Sequence, residues 1–121
     1  MTTIEILTFL GRILFGAYFV YSGYNHFKNQ KGYIAYAKHK GVPNPNLAVP
    51  LTGLLLVVGG FGFFLNLLIV ESAFILLIFM IPTTLMMHAF WKEKDPTLKA
   101  NEHIAFMKNV AIIGALLTFL K

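Results

Sequence analysis

Two cations stand where a cation is expensive. Arg12 lies within the apolar run ILTFLGRILFGAYFVYSG and Lys108 within FMKNVAIIGALL, and a charge at the centre of a membrane-spanning helix costs roughly 2.5–3.5 kcal/mol on insertion scales. Arg12 falls about two helical turns into the first run and Lys108 about a turn and a half into the last, entering from the other end. Their long side chains can bring both head groups to similar depths. Facing a common polar cavity, the two would suit an anionic or carbonyl-bearing ligand, of which a quinone head group is one. The competing reading has each side chain snorkel to its nearer interface.

Three imidazoles gather near one end of these runs. His26 closes the first in YNHFKN, His88 closes the third in MMHAFW beside Trp91, and His103 opens the fourth. Such groups can relay protons, ligate a metal or bind haem axially. Neither HxxxH nor HExxH spacing occurs, so no metal is assigned, and His88 is read either as a proton or hydrogen-bond partner of a ligand or as an interfacial anchor. Asn109, next to Lys108, can hydrogen-bond between helices, as can Asn25, Thr83 and Thr84. With no cysteine in the chain, thiolate ligands and CxxC chemistry are excluded, and any redox role requires a bound cofactor or substrate such as a quinone. The glycines form no phosphate-binding loop.

These residues must be positioned by apolar elements. Of 121 residues, 57% are hydrophobic and 12% charged, where a soluble domain keeps roughly a quarter charged to cover its surface. The outside therefore faces lipid. The formal charge of +5 is confined to short connections, a pattern of membrane topology and not of nucleic-acid binding. A hydrocarbon core of about 30 Å takes roughly 20 helical residues, which places spans at 4–24, 47–65, 69–91 and 103–120. Residues 1–23 carry no basic leader or small-x-small cleavage site, so the first run reads as a retained span.

The stretch 47–91 is too long for one crossing, and Asn66 and Glu71 mark a tight turn within it. Pro82 should kink the third span, with Thr83 and Thr84 helping to satisfy the freed carbonyls. In the first connection Tyr33, Ile34, Tyr36 and Ala37 share a helical face that leaves out Lys31, Lys38 and Lys40, and the helix stops at Gly41 before VPNPN. That is a short amphipathic helix for the membrane interface. The second connection should cap the last helix through Asn101 and Glu102. The expectation is an all-α fold, a single domain over 1–121: an integral membrane four-helix bundle with an interfacial helix between helices 1 and 2. Lys28, Lys31, Lys38, Lys40, Lys92, Lys94 and Lys99 lie in the connections, against Lys121 on the other side. The positive-inside rule puts 25–46 and 92–102 in the cytoplasm and both termini outside. A transporter would be expected to show inverted repeats, and none is recognisable. Four short helices enclose little volume, so other membrane subunits or a homo-oligomer are the expected partners besides the bilayer.

The order of GRILFGAYFVYSGYNHF, YAKHKGVPNPNLA, LLLVVGGFGFFLNL and MMHAFWKEKDP followed by FMKNVAIIGALL resembles the DoxX family of small bacterial membrane proteins over almost the whole chain. The resemblance implies a four-helix bundle in the bacterial inner membrane. For the founding members it implies association with a terminal quinol oxidase or a thiosulfate to quinone oxidoreductase. Carried over by position, the family's motif residues are Arg12, His88, Trp91, Lys108 and Asn109, the candidate ligand-binding set. Many relatives place a glutamate in the second span shortly before the double glycine, where this chain has Leu55, Leu56, Val57 and Val58 before Gly59 and Gly60. The departure removes a partner for Arg12 and a proton carrier, and favours an accessory or assembly role over direct catalysis.

Overall fold

The computed structural model describes all 121 residues, in five α-helices and one 3-10 turn, with no strands. Helix α1 spans Thr3–Lys28, α2 Gln30–His39, α3 Pro45–Leu65, α4 Ile69–Met87 and α5 Pro96–Leu117, with the 3-10 turn at Phe90–Lys92. At the start of α1, Thr2 and Glu5 form a capping box: the Thr2 hydroxyl accepts the Glu5 N–H at 3.1 Å and the Glu5 carboxylate accepts the Thr2 N–H at 3.4 Å. Each satisfies an N–H that the first helical turn leaves without a partner. Gly41, at φ 79°, ends α2 where expected, with Val42 N–H donating to Ala37 O at 3.0 Å and Gly41 N–H to Lys38 O at 3.1 Å. This is the Schellman arrangement, and its left-handed residue is one that glycine fills without steric cost.

The central helix is α3, which packs against α1, α2 and α4, while α5 lies along α4. Two backbones come close at the α1–α3 crossing. A Cβ on Gly16 would stand 2.6 Å from Gly60 O, and one on Gly60 2.9 Å from Gly16 O, so only glycine permits this approach. The core joins Phe19, Leu56, Phe63, Leu76, Met80 and Leu116, with Phe119 edge-on to Phe63 at 5.0 Å. Only 18 of 121 residues are buried. Leucine, isoleucine and phenylalanine cover the outside, a surface compatible with lipid and not with water.

Three helical segments are long and apolar enough to cross a membrane: Thr3–Lys28, Pro45–Leu65 and Ile69–Lys92. The expected fourth crossing is not among them. Helix α5 has the length, but Lys99, Glu102, His103, Lys108 and Asn109 leave only its C-terminal part continuously apolar. It also begins earlier than expected, because Asp95, not Asn101 or Glu102, is the cap: its carboxylate accepts the Leu98 N–H at 3.0 Å and Pro96 follows at the first helical position. The third helix stops at Met87 instead of Trp91. Phe90 and Trp91 turn away to pack edge-on with Phe106 of α5, at 5.4 and 5.6 Å. Helix α4 continues through Pro82, but the Thr84 hydroxyl is buried without a partner and satisfies no carbonyl. The turn between α3 and α4 is made by Asn66 and Leu68, both left-handed, and Glu71 already lies in the first turn of α4.

Candidate functional site

Two cavities meet at His88. The larger, about 400 Å³, lies under α2 and is bounded by Tyr33, Tyr36 and Ala37 of that helix, Val49 and Thr52 of α3, Met86 of α4, and the rings of His26 and His88. The smaller, about 300 Å³, lies among α1, α3, α4 and α5 and is bounded by Tyr18, Ser22, Leu56, Met80, Lys108 and Asn109. Phe79, Thr83 and His88 belong to both walls. One chamber is thus largely apolar with imidazole and phenol edges, and the other carries an ammonium and an amide.

A charged cluster holds His88 from the outside. Its Nδ1 donates to Glu102 Oε2 at 3.1 Å. Lys40 Nζ lies 3.5 Å from the same oxygen and 3.2 Å from Glu93 Oε1, while the Tyr36 hydroxyl donates to Glu102 Oε1 at 3.4 Å. The Lys40 and Glu102 side chains are 12% and 14% exposed, shielded enough for the pairing to matter more than a surface salt bridge does. Burial raises the Tyr36 pKa above its usual 10.0, and the neighbouring Glu102 charge raises it further. For Lys40 burial acts downward, but the hydrogen bond to Glu93 and the fields of Tyr36, Glu102 and Glu93 together raise its pKa above 10.5. Lys40 was expected outside the working face of its helix; as the residue capping α2 it is instead drawn inward by two carboxylates.

The other imidazoles divide. His26 Nδ1 donates to the Ser22 carbonyl at 2.8 Å, and its ring stacks on Tyr33 at 4.6 Å. His103 packs edge-on against Phe90 at 4.6 Å and lines neither cavity. No three of His, Asp and Glu converge as metal ligands.

Of the residues singled out by sequence, His88, Lys108 and Asn109 are brought together around the smaller cavity. Arg12 and Trp91 line neither cavity. Trp91 is half exposed against Phe90 and Phe106. Arg12 is half-buried, and its Nε is sealed from contact with no hydrogen-bond partner. The residues that sequence reasoning missed are Lys40, Glu93 and Glu102. For Glu102 the sequence signal was the Asp95-Pro96 pair, which marks a helix start and thereby puts Glu102 inside α5 instead of at its cap.

The DoxX family description matches residues 7–89, from within α1 to Ala89, just past the end of α4. No curated protein and no solved structure matches the chain. The matched region holds the second apolar crossing and most of the first and third, with Arg12 and the imidazoles of His26 and His88, while α5 with Glu102, Lys108 and Asn109 lies beyond it. With a family match over most of its length and three helices able to cross a bilayer, the chain is a multi-pass membrane protein that belongs to the DoxX family.

Proposed function

We propose that this protein is a bacterial inner-membrane partner of a quinone-linked redox system, and that its adjoining cavities receive the ring of a quinone-type molecule. The observation that supports this is the shared wall at His88 between a largely apolar chamber and one that carries Lys108 and Asn109. Ligand sites are usually ~300–1,000 Å³, mostly apolar, with a few convergent polar groups, and chambers of about 400 and 300 Å³ fit that description. Val49, Phe79 and Met86 offer apolar walls to a ring and tail, and Lys108, Asn109 and His88 offer polar contacts to ring oxygens. A bound quinone would supply two-electron, two-proton redox chemistry. The chain's own part is to orient the ring, with Glu102 holding His88, Lys40 balancing Glu102, and α2 covering the larger chamber. In this reading α5 is the fourth crossing and the basic connections face the cytoplasm.

The test is native mass spectrometry of the protein in nanodiscs that contain a lipoquinone. The wild type retains quinone, and Thr83→Phe, which fills the common wall, loses it while circular dichroism reports an intact fold. Equal retention by both would end this reading.

Arg12 favours a second reading, that of an accessory subunit. A half-buried guanidinium with no counter-charge in its own chain is suited to a carboxylate on another membrane subunit. Arg12→Leu should then release a co-purifying partner while leaving quinone retention unchanged.

A further inference from the structure

His26 and His88 reach the larger cavity from different helices, yet their rings are held in the same way. His26 Nδ1 lies 2.8 Å from the Ser22 carbonyl oxygen, and His88 Nδ1 lies 3.1 Å from Glu102 Oε2. A carbonyl and a carboxylate oxygen only accept. A ring nitrogen facing either must carry the hydrogen, and a neutral imidazole carries only one. In both rings the hydrogen is therefore on Nδ1, and Nε2 is left with a lone pair. No protein donor meets either Nε2. Glu102 lines neither cavity whereas His88 lines both, so the ring edge turned from Glu102 is the edge the cavities receive. The arrangement is stiff: His26 is clamped by Tyr33 at 4.6 Å, and the Glu102 carboxylate is held by Tyr36 at 3.4 Å and Lys40 at 3.5 Å.

We propose that His26 and His88 form a paired acceptor site for a ring bearing two hydroxyl groups, and that Glu102 is the positioning residue that keeps His88 an acceptor. This rests on the cavity being a quinone-type site and specifies which form it takes. The reduced, dihydroxy form offers a hydrogen to each Nε2. The oxidised form offers only carbonyl acceptors, leaving lone pair against lone pair in a largely apolar chamber. The Lys108 donor that would suit a carbonyl lines only the smaller cavity. A site built to accept a hydroxyl discriminates strongly against an analogue that lacks one.

The experiment uses the full chain in nanodiscs under anaerobic conditions at about pH 8.5, two units above the usual imidazole value. A short-chain hydroquinone and its oxidised quinone are titrated calorimetrically, and ring-nitrogen NMR of labelled histidine is recorded without ligand. The wild type should show Nδ1–H tautomers for His26 and His88 and bind the hydroquinone at least ~tenfold more tightly. Glu102→Leu should mix the His88 tautomers and erase most of the preference, while Glu102→Gln, whose amide oxygen still accepts, should keep both. An Nε2–H tautomer at either ring in the wild type, or equal affinity for the two forms, overturns the proposal. Binding of neither form removes the quinone-type reading along with the paired site, and the nitrogen spectrum then separately reports whether the rings are set as acceptors.

Discussion

Thr84 shows what a single polar atom costs inside this bundle. It is 2% exposed and its hydroxyl has no partner, and an unsatisfied buried hydroxyl costs about 1–3 kcal/mol. Thr84→Val removes that atom at nearly constant volume and should stabilise the fold by about 1 kcal/mol, seen as a higher midpoint in thermal unfolding in detergent. Residues of this kind differ in how readable they are. His88, Lys108 and Asn109 stand out in the sequence because a polar side chain in an apolar run has few explanations. Lys40 and Glu102 do not, because they sit among other charges in connecting segments and meet only through the tertiary fold. No local periodicity encodes a pairing between α2 and α5. Arg12 illustrates the reverse: its cost is evident from sequence, but the chain itself provides no counter-charge.

Each helix gives its position away through its boundaries, and the boundaries differ in kind. Gly41 stops α2 where the sequence places the stop, since a left-handed residue after an amphipathic run is a local signal. The start of α5 is equally local, in Asp95 and Pro96, but is easily overlooked beside the more apolar residues that follow. Glycine spacing within the helices separates two roles that look alike in sequence. Gly16 lies against α3, whereas a Cβ on Gly11 would meet nothing within 4 Å. Gly16→Ala should therefore destabilise the α1–α3 pair by about 1–3 kcal/mol, and Gly11→Ala should stabilise α1 by about 0.5–1 kcal/mol; paired unfolding curves would check both. The attachment of α2 also has a pH signature. Tyr36 and Lys40 both hold their protons more tightly in the fold than their usual values of 10.0 and 10.5 imply. Folding thus favours the protonated forms, the contribution is complete below about pH 10, and it is lost as the pH rises through the elevated folded values. Melting midpoints should be flat from about pH 8 to 9.5 and fall above about pH 10, and Glu93→Gln with Glu102→Gln should reduce that fall.

At the scale of the whole molecule, the topology turns on α5, the long helix outside the three apolar crossings. Composition alone does not make it a span, because its N-terminal half carries the charges that the cluster at Lys40 and His88 uses. Packing points the other way. Its second turn lies with Lys40 and the end of α4 through Glu102, and just beyond its C-terminus Phe119 packs on Phe63 at 5.0 Å, near the far end of α3, and on Phe15 at 6.3 Å, midway along α1. A helix of 22 residues rising 1.5 Å per residue covers about 33 Å, the thickness of a hydrocarbon core. In the proposed topology α5 is the crossing that carries Glu102 to the loop cluster and Lys108 and Asn109 to the smaller cavity. The cysteine-free chain makes this directly testable, since single cysteines can be labelled without background. With a membrane-impermeant thiol reagent on inverted and right-side-out vesicles, Lys38→Cys and Lys94→Cys should label from one side, and Thr3→Cys and Lys121→Cys from the other. Labelling of Lys121→Cys together with Lys94→Cys would instead make α5 a helix that returns to its own face. The apolar contacts of Leu116 and Phe119 with the core and the charge pairs at Glu102 would then hold α5 to the three crossings without its spanning the bilayer.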